Sequence, residues 1–377
     1  MSWSVGPPRT YRDEVKKASR DIVCDQEIAV VGLQGWCGKA RVYDLQTGEV
    51  RFGLECNHLG DGHDDFIRVR LGTDIIVTLS DNDNTLTIWN KSNGEMLAQN
   101  LHKDEKKTEE LMKMQSLEGD KWNEWLDEKT VGFDEDQKVS FFMEYVSSLT
   151  DQREIIDVCV KDDLIYGGYG EGFLIIGKQD GDWKIIEDIK LGYKVRDVLV
   201  AGKLIAIGKN DDDDQWEKKT INFWDPEKKE RINEMEMEVT VWYCCKFVYP
   251  YMFFIDIQRG KVFDEFQTGI EIWNVETKEP VRQLLKGYKK YEYISTNGKF
   301  LAICELLDGF SSGEEKYLEL TVFNVEQLVD KSIAEEDLWR FTKEYKLCSM
   351  DHIRAAFNED HLIVSHSAET LDIHALG

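Results

Sequence analysis

Between Leu86 and Gln99 the chain reads LTIWNKSNGEMLAQ: a short apolar run closing on a tryptophan, a polar turn, then a second run. This predicts two β-strands joined by a hairpin. The same figure returns along the chain. Tyr43 opens YDLQTGEV, Trp89 opens WNKSNGEM, Ile176 opens IGKQDGDW, Trp224 opens WDPEKKER, Trp273 opens WNVETKEP and Phe323 opens FNVEQLV, while His374 lies in the terminal TLDIHALG. Most of these positions combine a large residue, a small polar residue and a turn. The first three turns are Thr-Gly, Asn-Gly and Asp-Gly, all hairpin signals.

The markers lie 46, 87, 48, 49, 50 and 51 residues apart. Five of these intervals suit a four-stranded unit, and the second holds such a unit plus about 40 further residues. The first full unit shows FIRVRLG, IIVTLSD, TLTIWN and MLAQNL, and a later one VRDVLVAG, LIAIGKN, TINFWD and RINEMEM. One such sheet cannot bury both of its apolar faces, but sheets packed radially bury each other's. The last unit stops after three strands, HIRAAFN, HLIVSHS and TLDIHAL. Its open edge needs cover, and part of residues 2–18 is free to supply it. The expectation is therefore an all-β chain: a single domain over 1–377, a seven-bladed propeller of antiparallel blades closed by its N-terminal segment.

The repeat resembles the WD-repeat β-propeller family over most of the chain. The second unit carries the resemblance best: Gly62-His63 precedes FIRVRL, Asp83 and Thr85 precede Trp89, and Asn90 stands where the family usually has Asp. The resemblance implies a buried hydrogen-bond network of His63, Asp81, Asp83 and Trp89, with Asp81 replacing the usual Ser or Thr. Other units are degenerate: Lys218, Gln267 and Tyr317 occupy the place of Asp83. The propeller portion of F-box/WD-repeat proteins looks similar, but no F-box precedes this one.

Composition narrows the function. A formal net charge of −26 over 377 residues leaves no basic face for nucleic acid or anionic lipid. The first twenty residues hold no signal-peptide core, and no apolar run reaches membrane-helix length. A cytoplasmic, monomeric protein is expected. The eight cysteines fit that compartment, since Cys24, Cys159, Cys304 and Cys244-Cys245 lie in apolar runs and no zinc spacing occurs. The Asn90 sequon has no role without a secretory route.

Candidate chemistry is thin. VVGLQGWCGKAR fails as a phosphate loop: Gly32 to Gly38 is one residue too long, Ala40 replaces Ser or Thr, and a strand follows. GGYGEGF at Gly167 puts Phe173 where a dinucleotide loop needs glycine. DNDN at Asp81 and NDDDD at Asn210 lack the remaining ligands of a calcium loop. No acid–base or nucleophile set stands out; Ser365-His366-Ser367 reads as a strand end. No enzyme activity, cofactor or metal is expected.

Binding is a better prospect. In a four-strand meander, the connections from second to third strand emerge on one face, here called upper, with the links between blades. Five of these connections carry aromatics: Trp36, Tyr169, Trp216, Phe263 with Phe266, and Phe310. Loops on a rigid scaffold are where binding concentrates, and rings give contact area at low entropic cost. Asp211 to Asp214, Glu265, Asp308, Glu314 and Glu315 make these loops acidic, while Arg259 and Lys261 interrupt the acidity. The expected partner is a protein or peptide with apolar anchors and a basic flank. Residues 101–152 form an insertion between blades two and three, helical in part, with Trp122, Trp125 and Leu126 on one stripe. It serves as a cap, lid or docking helix. The expected function is a non-catalytic protein–protein interaction scaffold. Alternatives are a substrate receptor for a ubiquitin ligase and a hydrolase with its site at the channel mouth.

Overall fold

The computed structural model describes residues 9–12, 19–33, 39–55, 67–80, 84–101, 103, 120–134, 137–138, 140–141, 154–210, 219–237, 245–259, 266–287, 290–306, 316–347, 353–366 and 370–376. They form seven four-stranded antiparallel sheets. Six are sequential meanders, blades 1 to 6, beginning at Ser19, Ile67, Asp157, Lys194, Cys245 and Lys290. Blade 7 takes Ile353–Phe357, His361–His366 and Thr370–Ala375, and its fourth strand is Arg9–Arg12, paired antiparallel with Thr370–Ile373. The first strand of each blade contacts those of its neighbours in a closed ring, so first strands are innermost.

Seven hydrophobic clusters lie between neighbouring blades, one per seam. This explains why second strands such as Ile28–Leu33 are apolar throughout rather than alternating. Ile28 and Val30 enter the core shared with blade 2, while Ala29 and Val31 enter the core shared with blade 7.

All seven marker residues sit in third strands. In blades 1 to 5 a bulge against the fourth strand falls immediately before Tyr43, Trp89, Ile176, Trp224 and Trp273. The bulge adds local twist, and the bulky marker fills the space beside it. The polar residue that follows is a turn former. Asp44, Asn90, Asp225 and Asn274 each accept backbone N–H bonds from residues two or three positions ahead. In blade 6, Asn324 instead caps a short helix, Val325–Val329, before the outer strand Arg340–Leu347 begins. Gly48 and Gly94 end their turns at positive φ, as the Thr-Gly and Asn-Gly signals require.

Every seam is also bridged by hydrogen bonds or ion pairs on the lower side. Asn297 Nδ2 donates to Asn358 O, and Asn358 Nδ2 donates to Asp25 O, linking blades 6, 7 and 1. Lys91 Nζ of blade 2 lies 2.5 Å from Asp25 Oδ2. Asp163 of blade 3 accepts from Thr73 N of blade 2, and Lys161 Nζ donates to Lys203 O of blade 4. Lys278 Nζ donates to Glu234 O, joining blades 5 and 4, and Arg282 donates to Asp330 O and Ile333 O, joining blades 5 and 6.

Within the insertion, helix α1 spans Asp120–Lys129, with Trp125 and Leu126 half-buried. Most of the HKDEKK stretch and most of VSFFMEYV lie outside the described residues. Beyond the helix, Phe133 and Phe141 meet edge to face, and Val131 is 81% exposed.

Candidate functional site

Among the binding candidates, Trp36, Trp216, Phe263 and Phe310 lie outside the described residues, as do Lys261 and the acidic residues of the same loops. The strand ends that flank them are described. Leu33 and Lys39 pair, as do Arg259 and Phe266, while Asn210, Lys219, Leu306 and Lys316 end or begin their strands. All blades run in one sense around the ring, so these ends gather on one face. Arg259 is the last residue of a second strand and Phe266 the first of a third; neither belongs to a free loop.

Tyr169 is placed differently from the exposed ring that its loop position suggested. It ends the strand Leu164–Tyr169 and is 3% exposed, in the core between blades 2 and 3. Its hydroxyl donates to Asp188 Oδ1 at 2.5 Å, and Lys190 Nζ stands 5.0 Å from the ring centre while pairing with Glu171 at 2.9 Å. Burial, and then the bond to Asp188, push the phenol above its ordinary range. The tight turn through Gly170 is too short to lift the ring away from its own blade.

His63, Asp81 and Asp83 also lie outside the described residues. The partner of Trp89 is described, and it corrects the role given to Asp81. The indole N–H donates to Thr78 Oγ1 at 2.9 Å. Thr78 lies two positions along the second strand from Ile76, which pairs with Trp89, so its hydroxyl faces the indole across the sheet. In blade 4 the equivalent position is Ile207, and Trp224 Nε1 is buried with no partner among the described residues. In blade 5 it is Phe254, and Trp273 turns to Glu271 Oε2 instead.

The glycines of the rejected phosphate and dinucleotide loops have structural causes. A Cβ on Gly32 would come within 2.1 Å of Ile67 O in the next blade, and one on Gly168 within 2.6 Å of Val195 Cγ1. Both lie in second strands, opposite Asp21 and Asp157.

Those aspartates belong to a polar network that the sequence reading missed. Asp21 accepts from Ile22 N and, in blade 2, from Val69 N and Arg70. Asp157 of blade 3 accepts from Val198 N of blade 4 and from Arg68 and Arg70 of blade 2. Arg68 and Arg70 also donate to Ile156 O and Val158 O, covering the free edge of a blade 3 inner strand. Three inner-strand aspartates, Asp21, Asp157 and Asp197, each pair with a second-strand glycine eleven positions ahead, Gly32, Gly168 and Gly208. That spacing was visible in the sequence.

Among the described residues no group of His, Cys, Asp and Glu has the geometry to hold a metal, and no helix is long and apolar enough to cross a membrane. No family model matches the chain, and no curated protein does. Solved structures do. The structure of U3-55K aligns at a TM-score of 0.56 with 9% identity, over 97% of this chain and 98% of that one. The RRP9 WD40 repeats align at 0.57 with 9% identity over 100% of both chains. The Cps50 (Swd1) β-propeller domain of Myceliophteria thermophila aligns at 0.54 with 8% identity over 99% of both. At such identities the likeness is one of fold: the chain is a seven-bladed propeller built like those of WD40-repeat proteins.

Proposed function

We propose that the protein is a non-catalytic scaffold that binds a peptide or protein partner on its upper loop face. The observation that carries this reading is the convergence on one face of the strand ends flanking Trp36, Trp216, Phe263 and Phe310. A rigid ring with seven apolar seams can hold such loops in register without a core of their own. Tyr169 drops out of the candidate set, because its ring is already buried. The acidic residues of the same loops favour a partner with a basic flank, whose association weakens as salt rises. The proposed protein acts as a cytoplasmic monomer, without a cofactor. RRP9, U3-55K and Swd1 supply a fold precedent only.

The test is quantitative capture of cellular partners by the full chain and by the double variant Trp36→Ala/Trp216→Ala. The expected result is at least a tenfold loss of captured partner with an unchanged Tm. Undiminished capture, or a Tm collapse showing that these rings are core, would overturn the reading.

A further inference from the structure

The seven inner strands surround the axis of the ring. Where their side chains are described, they carry six lysines and arginines, Arg68, Arg70, Lys161, Lys194, Lys246 and Arg354, against three acidic residues, Asp21, Asp157 and Asp197, in a chain whose net charge is −26. Most of the acid of this molecule therefore lies outside these strands, and the described inner-strand side chains carry an excess of cations. Two of the three acids, Asp21 and Asp157, are committed to seams, each bonding a backbone N–H of the next blade and an arginine. Arg68 and Arg70 nevertheless keep 34% and 22% of their side-chain surface exposed. An innermost strand is flanked by blades on both sides and by its own sheet behind, so that exposure faces the channel. Lys194 is exposed at the upper end of its strand and Lys246 is half-buried further down; among the described residues neither forms an ion pair. On the far side, Arg354 of blade 7 stacks 4.9 Å from the Tyr293 ring centre of blade 6.

These cations come from different blades and different depths, so they surround a volume rather than mark a surface point. A low-dielectric wall focuses the field of such a ring, while outer carboxylates more than about 8 Å away are screened at physiological salt. A singly charged anion would gain from only one or two of them. A compact anion with several charges engages many at once, and guanidinium forks match phosphate oxygens. We propose that the axial channel is a binding site for a small polyphosphate anion. This site is independent of the loop face and stands whether or not a protein partner docks there.

Inorganic tripolyphosphate is the probe, titrated calorimetrically into the full chain at fixed ionic strength. The expected result is saturable binding near one per chain. Lys194→Glu/Lys246→Glu should weaken it at least tenfold. The charge-matched pair Lys178→Glu/Lys184→Glu, on the exposed outer hairpin of blade 3, should change it less than twofold. Matching Tm values show that both variants fold. Absence of saturable binding to the parent chain, or equal weakening by the two pairs, would overturn the proposal.

Discussion

At the scale of single residues, one indole shows how degeneracy entered the repeat. Trp89 and Trp224 occupy equivalent places, both buried at a bulge, yet only Trp89 has a hydroxyl to donate to. A made hydrogen bond contributes about 1 kcal/mol net. Trp89→Phe should therefore destabilise the fold by about 1 kcal/mol more than Trp224→Phe, measured by urea unfolding. Equal losses would mean that the Thr78 bond contributes nothing beyond packing. The marker positions were legible in the sequence because bulk at a bulge repeats. The partner of the indole was not, because it depends on the diagonal across two paired strands, a matter of register.

At the scale of elements, the strand Arg9–Arg12 closes the ring by pairing with a strand more than 350 positions away. The sequence pointed to such a strand through an imbalance: the last unit had three strands, and an unsatisfied sheet edge needs cover. Deleting residues 1–18 removes the outer strand of blade 7. With the ladder bonds of four residues lost at about 0.5 to 1 kcal/mol each, stability should fall by about 2 to 4 kcal/mol. A synthetic peptide of residues 1–18 added in trans should raise the Tm of the truncated chain. An unchanged Tm on truncation would show that the strand contributes nothing to closure. Helix α1 was equally legible, since Trp122, Trp125 and Leu126 recur at helical spacing. The helix of blade 6 was not: FNVEQLV reads as strand and turn, and it is the Asn324 cap that begins a helix there.

At the scale of the whole molecule, the seams are tied by polar contacts that converge on a few residues. Asp25 is one of them: its carbonyl accepts from Asn358, Oδ1 accepts from Glu27 N and Ile28 N, and Oδ2 pairs with Lys91. Burial pushes its carboxyl upward, but the Lys91 ammonium and the two backbone N–H groups outweigh burial and hold it below the ordinary carboxylate value. The unfolded chain therefore binds this proton first as pH falls. The stabilisation is complete above the ordinary carboxylate range, about pH 4, and disappears as pH drops through the lowered folded-state value. Asp25→Asn should be less stable than the parent at pH 7, with the two Tm curves converging toward pH 3. Parallel curves across that range would show that Asp25 does not couple the seams to pH.

The linear chain determined the number of blades, their strands, the turn chemistry and the need for a closing edge. Each of these follows from local periodicity, or from counting what one sheet leaves unburied. Only the tertiary structure decided which glycines are forced by a neighbouring blade, that Tyr169 packs inward, and that Asp21, Arg68, Arg70 and Asp157 form one network across three blades. Those outcomes depend on close approach between segments far apart in sequence, and a pattern read along one strand carries no distance to the next blade.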